Sequence, residues 1–484
     1  MSVKPRNPWF ILVLLAMAQF IVVLDTSIVN VALPAIQKAL HFSTSSLQWT
    51  VTAYTLAVGG FLLLGGRAAD LYGRRKVFLI GLGLFAVASL ADGLAQSGGM
   101  LIASRAIQGL AGALMSPAAL SIVLVTFKEG AERNKALAVW GAVASGGAAA
   151  GMLLGGILTE YLNWRWNFFV NVPVGATIFV LAMRVLPKHE SEARNNSLDL
   201  PGALSITGAL MSLVYGLTQA PSHGWLSSFT LAFFASSAAL LAFFIWNERR
   251  AKHPLVDLSI FKVRNVTGAD LLQIFMMASL FSVFFFTSLY IQTILGYSPV
   301  KTGLSFLAIP VVIAIAATNA PKLIAKFGYK RVLMVAPLFV AVSMLLLAQL
   351  PLKGNYFVNI LPGFILMGLG LGLSFVSTTI AATSGVKPTQ SGLASGLLNT
   401  SQQIGGALGL AILSGVVAAA VKNKLPAVMN GQISAASATL HGYHLGFYVA
   451  SGFALIASLV AVFVLKHTQG ADPATAGQPT ASMH

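Results

Sequence analysis

The sequence predicts an all-α membrane protein of fourteen transmembrane helices, built as two pseudo-symmetric six-helix bundles plus two extra helices. The prediction rests on composition, on long apolar runs and on where the basic residues fall. Of 484 residues, 56% are hydrophobic and only 9% are charged, whereas a soluble domain carries about 25% charge. Apolar stretches of roughly the 20 residues needed to cross a bilayer recur along almost the whole chain. They run over 10–33, 47–66, 77–96, 100–124, 136–158, 166–186, 200–218, 228–247, 268–291, 301–321, 331–350, 357–382, 391–419 and 442–465. Each is read as a helix, because an unpaired backbone amide in lipid is too costly. With the N-terminus cytoplasmic, 23 of the 30 Lys and Arg fall on the cytoplasmic side and six outside, with Arg105 inside a span. Basic residues hold loops in the cytoplasm, and an error of one span would scramble that split. Both termini are therefore expected in the cytoplasm and the chain in the cell membrane.

The net charge of +17 would suggest nucleic acid in a soluble protein. Here loop orientation accounts for it, so no nucleic-acid partner is expected. There is no Cys, which excludes disulfides and thiolate metal sites, and neither metal nor cofactor is expected. There is no phosphate-binding G-x-x-x-x-G-K-[ST] loop and no H-E-x-x-H. An ATP-driven pump and an intramembrane zinc protease are thereby disfavoured, and no enzymatic activity is expected.

Span one follows Lys4 and Arg6 and resembles a signal peptide at first sight. Its apolar run is too long for one and lacks a small-x-small cleavage site, so it is read as an uncleaved helix. Asp25 lies inside it. A carboxylate in a span normally faces protein or water, which makes it a functional candidate; the alternative is local hydrogen bonding beside Thr26 and Ser27. After span two comes a loop with Gly66, Asp70, Gly73, Arg74 and Arg75. Gly73 offers a cheap positive φ, and the basic residues anchor span three at the cytoplasmic leaflet. Asp92, near the outer end of span three, is expected to reach water.

Arg105, in span four, keeps its charge at any working pH. At 1.5 Å per residue it lies about 7 Å below the outer boundary and Asp25 about 12 Å below it, a gap an Arg side chain can cover. The alternative is snorkelling to the headgroups. Span five carries Gly147, Gly151, Gly155 and Gly156 at small-xxx-small spacing, which lets a neighbouring helix come close.

The chain then repeats. DLYGRRKV at 70–77 recurs as AKFGYKRV 255 residues later, and Gly109-Leu110 recurs as Gly368-Leu369 after 259. This divides the chain into a six-helix bundle over 1–190, two extra helices over 191–262, a second bundle over 263–466 and a polar tail over 467–484. The tail's composition predicts disorder. Parallel halves place a substrate path on the pseudo-symmetry axis near the midplane. The second copy has Ala325 opposite Asp70 and Phe364 near Arg105's equivalent, so the ionisable machinery lies in the first half. Asp270 stands at the start of span nine, where an Asp is usually a cap or dipole partner. Asn30, Gln108, Gln273, Tyr290, Gln292, Asn399 and Gln402 are candidate cavity contacts; bonds between helices explain such residues equally well. His441 and His444 read as interfacial.

Four blocks carry a resemblance. They are LDTSIVNVALP at 24–34, GRAADLYGRRK at 66–76, RAIQG at 105–109 and the span-five glycines, followed by NWRWNFFVNVP at 163–173. Together they resemble the fourteen-span drug:proton antiporter branch of the major facilitator superfamily. The chain departs from its pattern at Leu71, where a basic residue is usual, at Met152 in place of a Pro, and at Ala138 in place of a Gly. The resemblance implies alternating access in which Asp25 and Arg105 couple proton and substrate. It makes Asp70 a latch for the outward-facing state and span five a helix that seals the cavity against proton leak.

The expectation is thus a monomeric exporter of hydrophobic or cationic small molecules, driven by inward proton flow. An exporter dedicated to one antibiotic or metabolite is the alternative within transport. A membrane sensor on a transporter-like frame is the alternative outside it.

Overall fold

The computed structural model describes residues 7–127, 130–187, 198–387 and 390–466. Among the described residues fourteen helices are long and apolar enough to cross a membrane, and there is no strand. They are α1 Pro8–Ala39, α2 Trp49–Tyr72, α3 Arg74–Gly93, α4 Gly98–Thr126, α5 Lys135–Tyr161, α6 Trp166–Val185 and α7 Leu200–His223. They continue with α8 Ser228–Arg250, α9 Arg264–Ile294, α10 Pro299–Phe327, α11 Tyr329–Leu347, α12 Tyr356–Thr383, α13 Ser391–Met429 and α14 Ala435–Phe463. Several outrun the apolar stretches that announce them. Helix α14 begins seven residues before its apolar run, because Ser434 caps it by accepting from the Ser437 amide; capping, not hydropathy, sets that end. The tail and Lys4, Arg6, Lys128, Lys188 and Arg194 lie outside the described residues.

The internal repeat appears first in the turns. Gly73 alone separates α2 from α3, at φ +92°, and Gly328 alone separates α10 from α11, at φ +78°. A side chain would strain either turn. The helix pairings repeat as well. In the first bundle α1 packs on α5, α2 and α3 on α4, and α3 on α6. In the second α9 packs on α13, α10 and α11 on α12, and α11 on α14. Helices α7 and α8 pack on each other, and α7 lies along the seam between α2 and α13. There Gly60 abuts Thr207, and Gln48 Nε2 donates to Thr218 Oγ1 at 2.7 Å. The opposite seam, between α5 and α10, has no such cover.

The two faces of the molecule differ. On the face away from the chain ends, the bundles share one apolar core, in which Ile28, Val31 and Leu33 join Leu289, Tyr290 and Ile291. Hydrogen bonds cross between bundles there. Ser288 Oγ donates to Asn30 O at 2.7 Å, Gln292 Nε2 to Val31 O at 2.9 Å, and the Val300 amide to Glu160 Oε2 at 2.8 Å. Towards the face that carries the chain ends, the first bundle has a core of its own, from Ile11 to Phe127 and Leu186. The bundles are therefore bonded together at the distal face, and towards the terminal face Leu63 of α2 packs with Ala394 and Leu397 of α13.

Candidate functional site

The midsection of the first bundle holds a buried polar cluster. Asp25 on α1 is fully buried and Arg105 on α4 is 1% exposed. Arg105 Nη1 meets Asp25 Oδ2 at 2.5 Å. The same nitrogen donates to Gln108 Oε1, and Nε donates to the Thr50 carbonyl on α2 at 2.9 Å. The guanidinium lies 4.4 Å from the Tyr54 ring centre and 5.7 Å from that of Phe168, within cation–π range. The second carboxylate oxygen, Oδ1, accepts from Gln108 Nε2 at 2.9 Å and from Asn171 Nδ2 on α6 at 2.7 Å. Gln108 Nε2 also reaches Ser89 Oγ on α3 at 2.6 Å. Side chains from α1, α3, α4 and α6 and a carbonyl from α2 thus converge on one ion pair.

This geometry removes both bland alternatives. Asp25 bonds to other helices rather than to its own turn, where Thr26 Oγ1 is occupied with Val22 O. Arg105 points to Asp25 and not to the headgroups. Removing one partner of a buried pair leaves an uncompensated charge, which costs about 3–5 kcal/mol.

The glycine face of α5 brings α1 close. A Cβ at Gly147 would stand 3.0 Å from Phe20 O, at Gly151 2.7 Å from Leu24 O, and at Gly155 2.7 Å from Ile28 O. Asp25 lies between these contacts. Gly156 differs, because its Cβ would stand 2.6 Å from Pro299 O on α10, in the other bundle. The second bundle repeats the device on α13, where Gly405 presses on Ile274 and Gly409 on Ala278. In that register Ser279 stands where α1 has Asp25.

Of the loop residues, Gly66 has room for a Cβ, at 3.8 Å from Pro117, while Gly65 is the one pressed against α4 at Ala113. Asp70 is exposed, and its ion pair is with Arg74 of its own loop at 3.7 Å. Arg75 donates to the Met183 carbonyl at 2.6 Å and so ties α3 to the end of α6.

The remaining candidates separate. Gln108 belongs to the ion-pair cluster. Asn30 caps carbonyls of its own helix, and Gln292 closes the distal seam. Tyr290 is no cavity contact, since its hydroxyl donates to Pro351 O at 2.7 Å within the second bundle. Gln273 is buried, Asn399 exposed and Gln402 half-buried. His444 bonds to Leu350 O at 2.7 Å. Asp270 is not a cap. Helix α9 begins six residues earlier, and Asp270 is buried beside Ser401. Asp92 does not reach water; it is fully buried. Sequence reasoning passed over Asn171, Ser89 and Ser104, because an Asn or Ser in a span carries no sign of which helix it will meet.

The Major Facilitator Superfamily model matches residues 15–410. The puromycin resistance protein pur8 of Streptomyces alboniger is 40% identical over 472 residues, 97% of this chain and 93% of that protein. The cephamycin export protein CmcT of Amycolatopsis lactamdurans is 41% identical, over 83% of each chain. The multidrug resistance protein Stp of Mycobacterium tuberculosis (strain H37Rv) is 33% identical, over 86% of this chain and 76% of that protein. Among solved structures, the peptide transporter PepTSo aligns with TM-score 0.69 at 17% identity, covering 96% of this chain and 98% of its own. A point mutant of the nucleoside transporter NupG aligns at 0.68 and 12%, covering 95% and 100%. At such identity these two speak for the fold alone. A family match across most of the length, relatives above 30% identity, and two six-helix bundles with repeated pairings agree: the chain belongs to the major facilitator superfamily.

Proposed function

We propose that this protein exports hydrophobic or cationic small molecules in exchange for protons, by alternating access. The observation that carries the reading is the buried Asp25–Arg105 pair, closed by Gln108 and Asn171 on the axis of the first bundle. The guanidinium and the two amide donors together hold the Asp25 carboxylate. Exchange would alternate this ion-paired arrangement with one in which Asp25 carries the proton. Because the donors sit on α4 and α6 and the acid on α1, a shift between these helices sets the balance.

The face carrying the chain ends is cytoplasmic on this reading, in keeping with the excess of basic residues there. The bonds that join the bundles at the opposite, outer face support an inward-facing state. Asp70, paired only within its own loop, is a released latch that would engage when the terminal face closes. Glycines 147, 151 and 155 hold α5 against α1 so that the acid stays sealed through the cycle. The protein works as a monomer in the cell membrane and performs no chemistry on its cargo.

A second reading, export of a single antibiotic, is favoured by relatives whose names refer to puromycin and to cephamycin. Efflux of ethidium and of puromycin from cells, with and without a protonophore, tests both. Protonophore-sensitive efflux of both compounds supports the broad exporter; puromycin alone supports the narrow one. Undiminished drug-for-proton exchange by Asp25→Asn in proteoliposomes would refute the assignment of Asp25.

A further inference from the structure

Above the ion pair, one turn towards the distal face, lies a second buried carboxyl. Asp92 is in the last turn of α3, three residues beyond Ser89, and none of its surface is exposed. Its Oδ1 lies 2.5 Å from Ser104 Oγ on α4, and its Oδ2 is buried without any hydrogen-bond partner. Among the described residues no cation forms an ion pair with it. The charged groups around it are Arg105 on α4, already engaged by Asp25 on α1, and Arg165 before α6. The side chain of Arg165 bonds to backbone, the carbonyls of Gly93 and Ala95 at 2.9 and 2.5 Å. The Tyr54 hydroxyl on α2 completes the surroundings.

The cluster therefore holds two carboxyl groups and one available cation. A second buried carboxylate without a partner would cost several kcal/mol, and such a group stays neutral instead. Ser104 fits a neutral Asp92. Its own hydrogen has the Met100 carbonyl within reach at 2.9 Å, which frees Oγ to accept from the acid.

We propose that Asp92 is a proton-binding site, and that Asp25 and Asp92 hold one proton between them against the single charge of Arg105. With Arg105 on Asp25, the proton is on Asp92. When the O–H bond of Asp92 breaks and the proton moves to Asp25, the guanidinium follows the negative charge to Asp92. The three groups remain neutral together in both arrangements, so neither step leaves a net charge in the membrane. Asp92 lies at the distal end of α3, where Leu94 and Gln96 two to four residues on are exposed. It is thus placed to load from that side once the distal seam opens. This use in transport rests on the proton-exchange reading above; the shared proton itself does not.

The test is infrared spectroscopy of the purified full-length protein at neutral pH, comparing wild type with Asp92→Asn and Asp25→Asn. Asparagine at 92 can donate to Ser104 Oγ through its amide nitrogen in place of the acid, so packing is retained. The expected result is a protonated-carboxyl C=O band in wild type that is lost in Asp92→Asn. It is lost in Asp25→Asn too, because the freed guanidinium then ionises Asp92. Identical wild-type and Asp92→Asn spectra in this region overturn the proposal, and so does a band that survives undiminished in Asp25→Asn. Ethidium exchange in proteoliposomes separates the two readings. Loss of the wild-type response to distal-side pH in Asp92→Asn supports the relay, and an unchanged response overturns it. Wild-type vesicles that move ethidium without protons overturn the exchange reading, while the infrared band still decides Asp92.

Discussion

Replacing Gly151 by Ala tests whether close approach of α5 to α1 is what holds the ion pair together. The new Cβ would lie 2.7 Å from Leu24 O, 2.8 Å from Ser27 Cβ and 3.2 Å from Ile28 N, where ordinary contact begins at 3.4 Å. Two of these are backbone atoms that cannot rotate away, so the helices must part by about 0.5–0.7 Å in a medium packed as densely as a protein interior. Overpacking of this kind costs about 1–3 kcal/mol, a factor of roughly 5–150 in an equilibrium. The displacement falls on the turn that carries Asp25. The 2.9 Å bond from Gln108 to Oδ1 would stretch to about 3.5 Å, beyond useful hydrogen-bond range. Transport should therefore fall more than stability does. The matched control is Gly141→Ala on the same helix, where an added Cβ meets nothing within 4 Å. The assays are thermal unfolding in detergent and ethidium exchange in proteoliposomes. If Gly151→Ala and Gly141→Ala unfold at the same temperature and exchange at the same rate, the helix contact is not what positions Asp25.

Three further outcomes are expected. Glu160→Gln replaces a charge-assisted bond to the Val300 amide, at the start of α10, with a neutral one, which weakens the distal seam by about 1 kcal/mol. Because the chain has no Cys, a single Ser288→Cys in that seam should label faster with a maleimide when combined with Glu160→Gln. Asp70→Asn should leave thermal stability unchanged, since its partner is an exposed i,i+4 Arg worth at most about 0.5 kcal/mol, yet should abolish efflux if the latch reading holds; retained efflux sinks that reading. Thr218→Val strips the buried Gln48 amide of its acceptor, at a cost of about 1–3 kcal/mol. It should lower the unfolding temperature while efflux persists, and loss of efflux in protein that stays folded would show that α7 does more than brace the seam.

The fold was legible because two independent patterns, apolar run length and the side on which basic residues fall, constrain the same helix count. The ion pair was legible because rise per residue puts Asp25 and Arg105 at similar depth, and charges in lipid must find each other. What surrounds the pair was not. Asn171 and Ser89 reach it only through the register of α6 and α3 against α1 and α4, which no single helix encodes. Asp92 read as a residue near water because its depth is shallow. Depth says nothing of lateral cover, and here Ser104 lies against its carboxyl while Phe169 presses on the adjacent Gly93. Tyr290 read as a cavity contact because its polar end lies in an apolar helix, but Pro351 offers that hydroxyl a carbonyl in the same bundle. Gly65 and Gly66 are adjacent in sequence and point different ways around the helix, so sequence alone cannot choose between them.

The two halves share a frame and divide the chemistry, for separable physical reasons. Close packing of the first and fifth helices of each bundle requires backbone contact, and only glycine permits it; hence Gly147 and Gly151 recur as Gly405 and Gly409 on α13. A buried ion pair is different, because each one carries a desolvation cost. A second copy would add that cost again. Where Asp25 and Arg105 would recur stand Ser279, bonded to the Ala450 carbonyl, and Phe364, stacked on Phe306. The asymmetry extends to the seams. Helix α7 braces α2 against α13, whereas α5 and α10 meet through Gly156, Gly303 and the single carboxylate of Glu160 near the distal end. The α5/α10 seam is thus formed by the helix that also packs on the turns of α1 flanking Asp25.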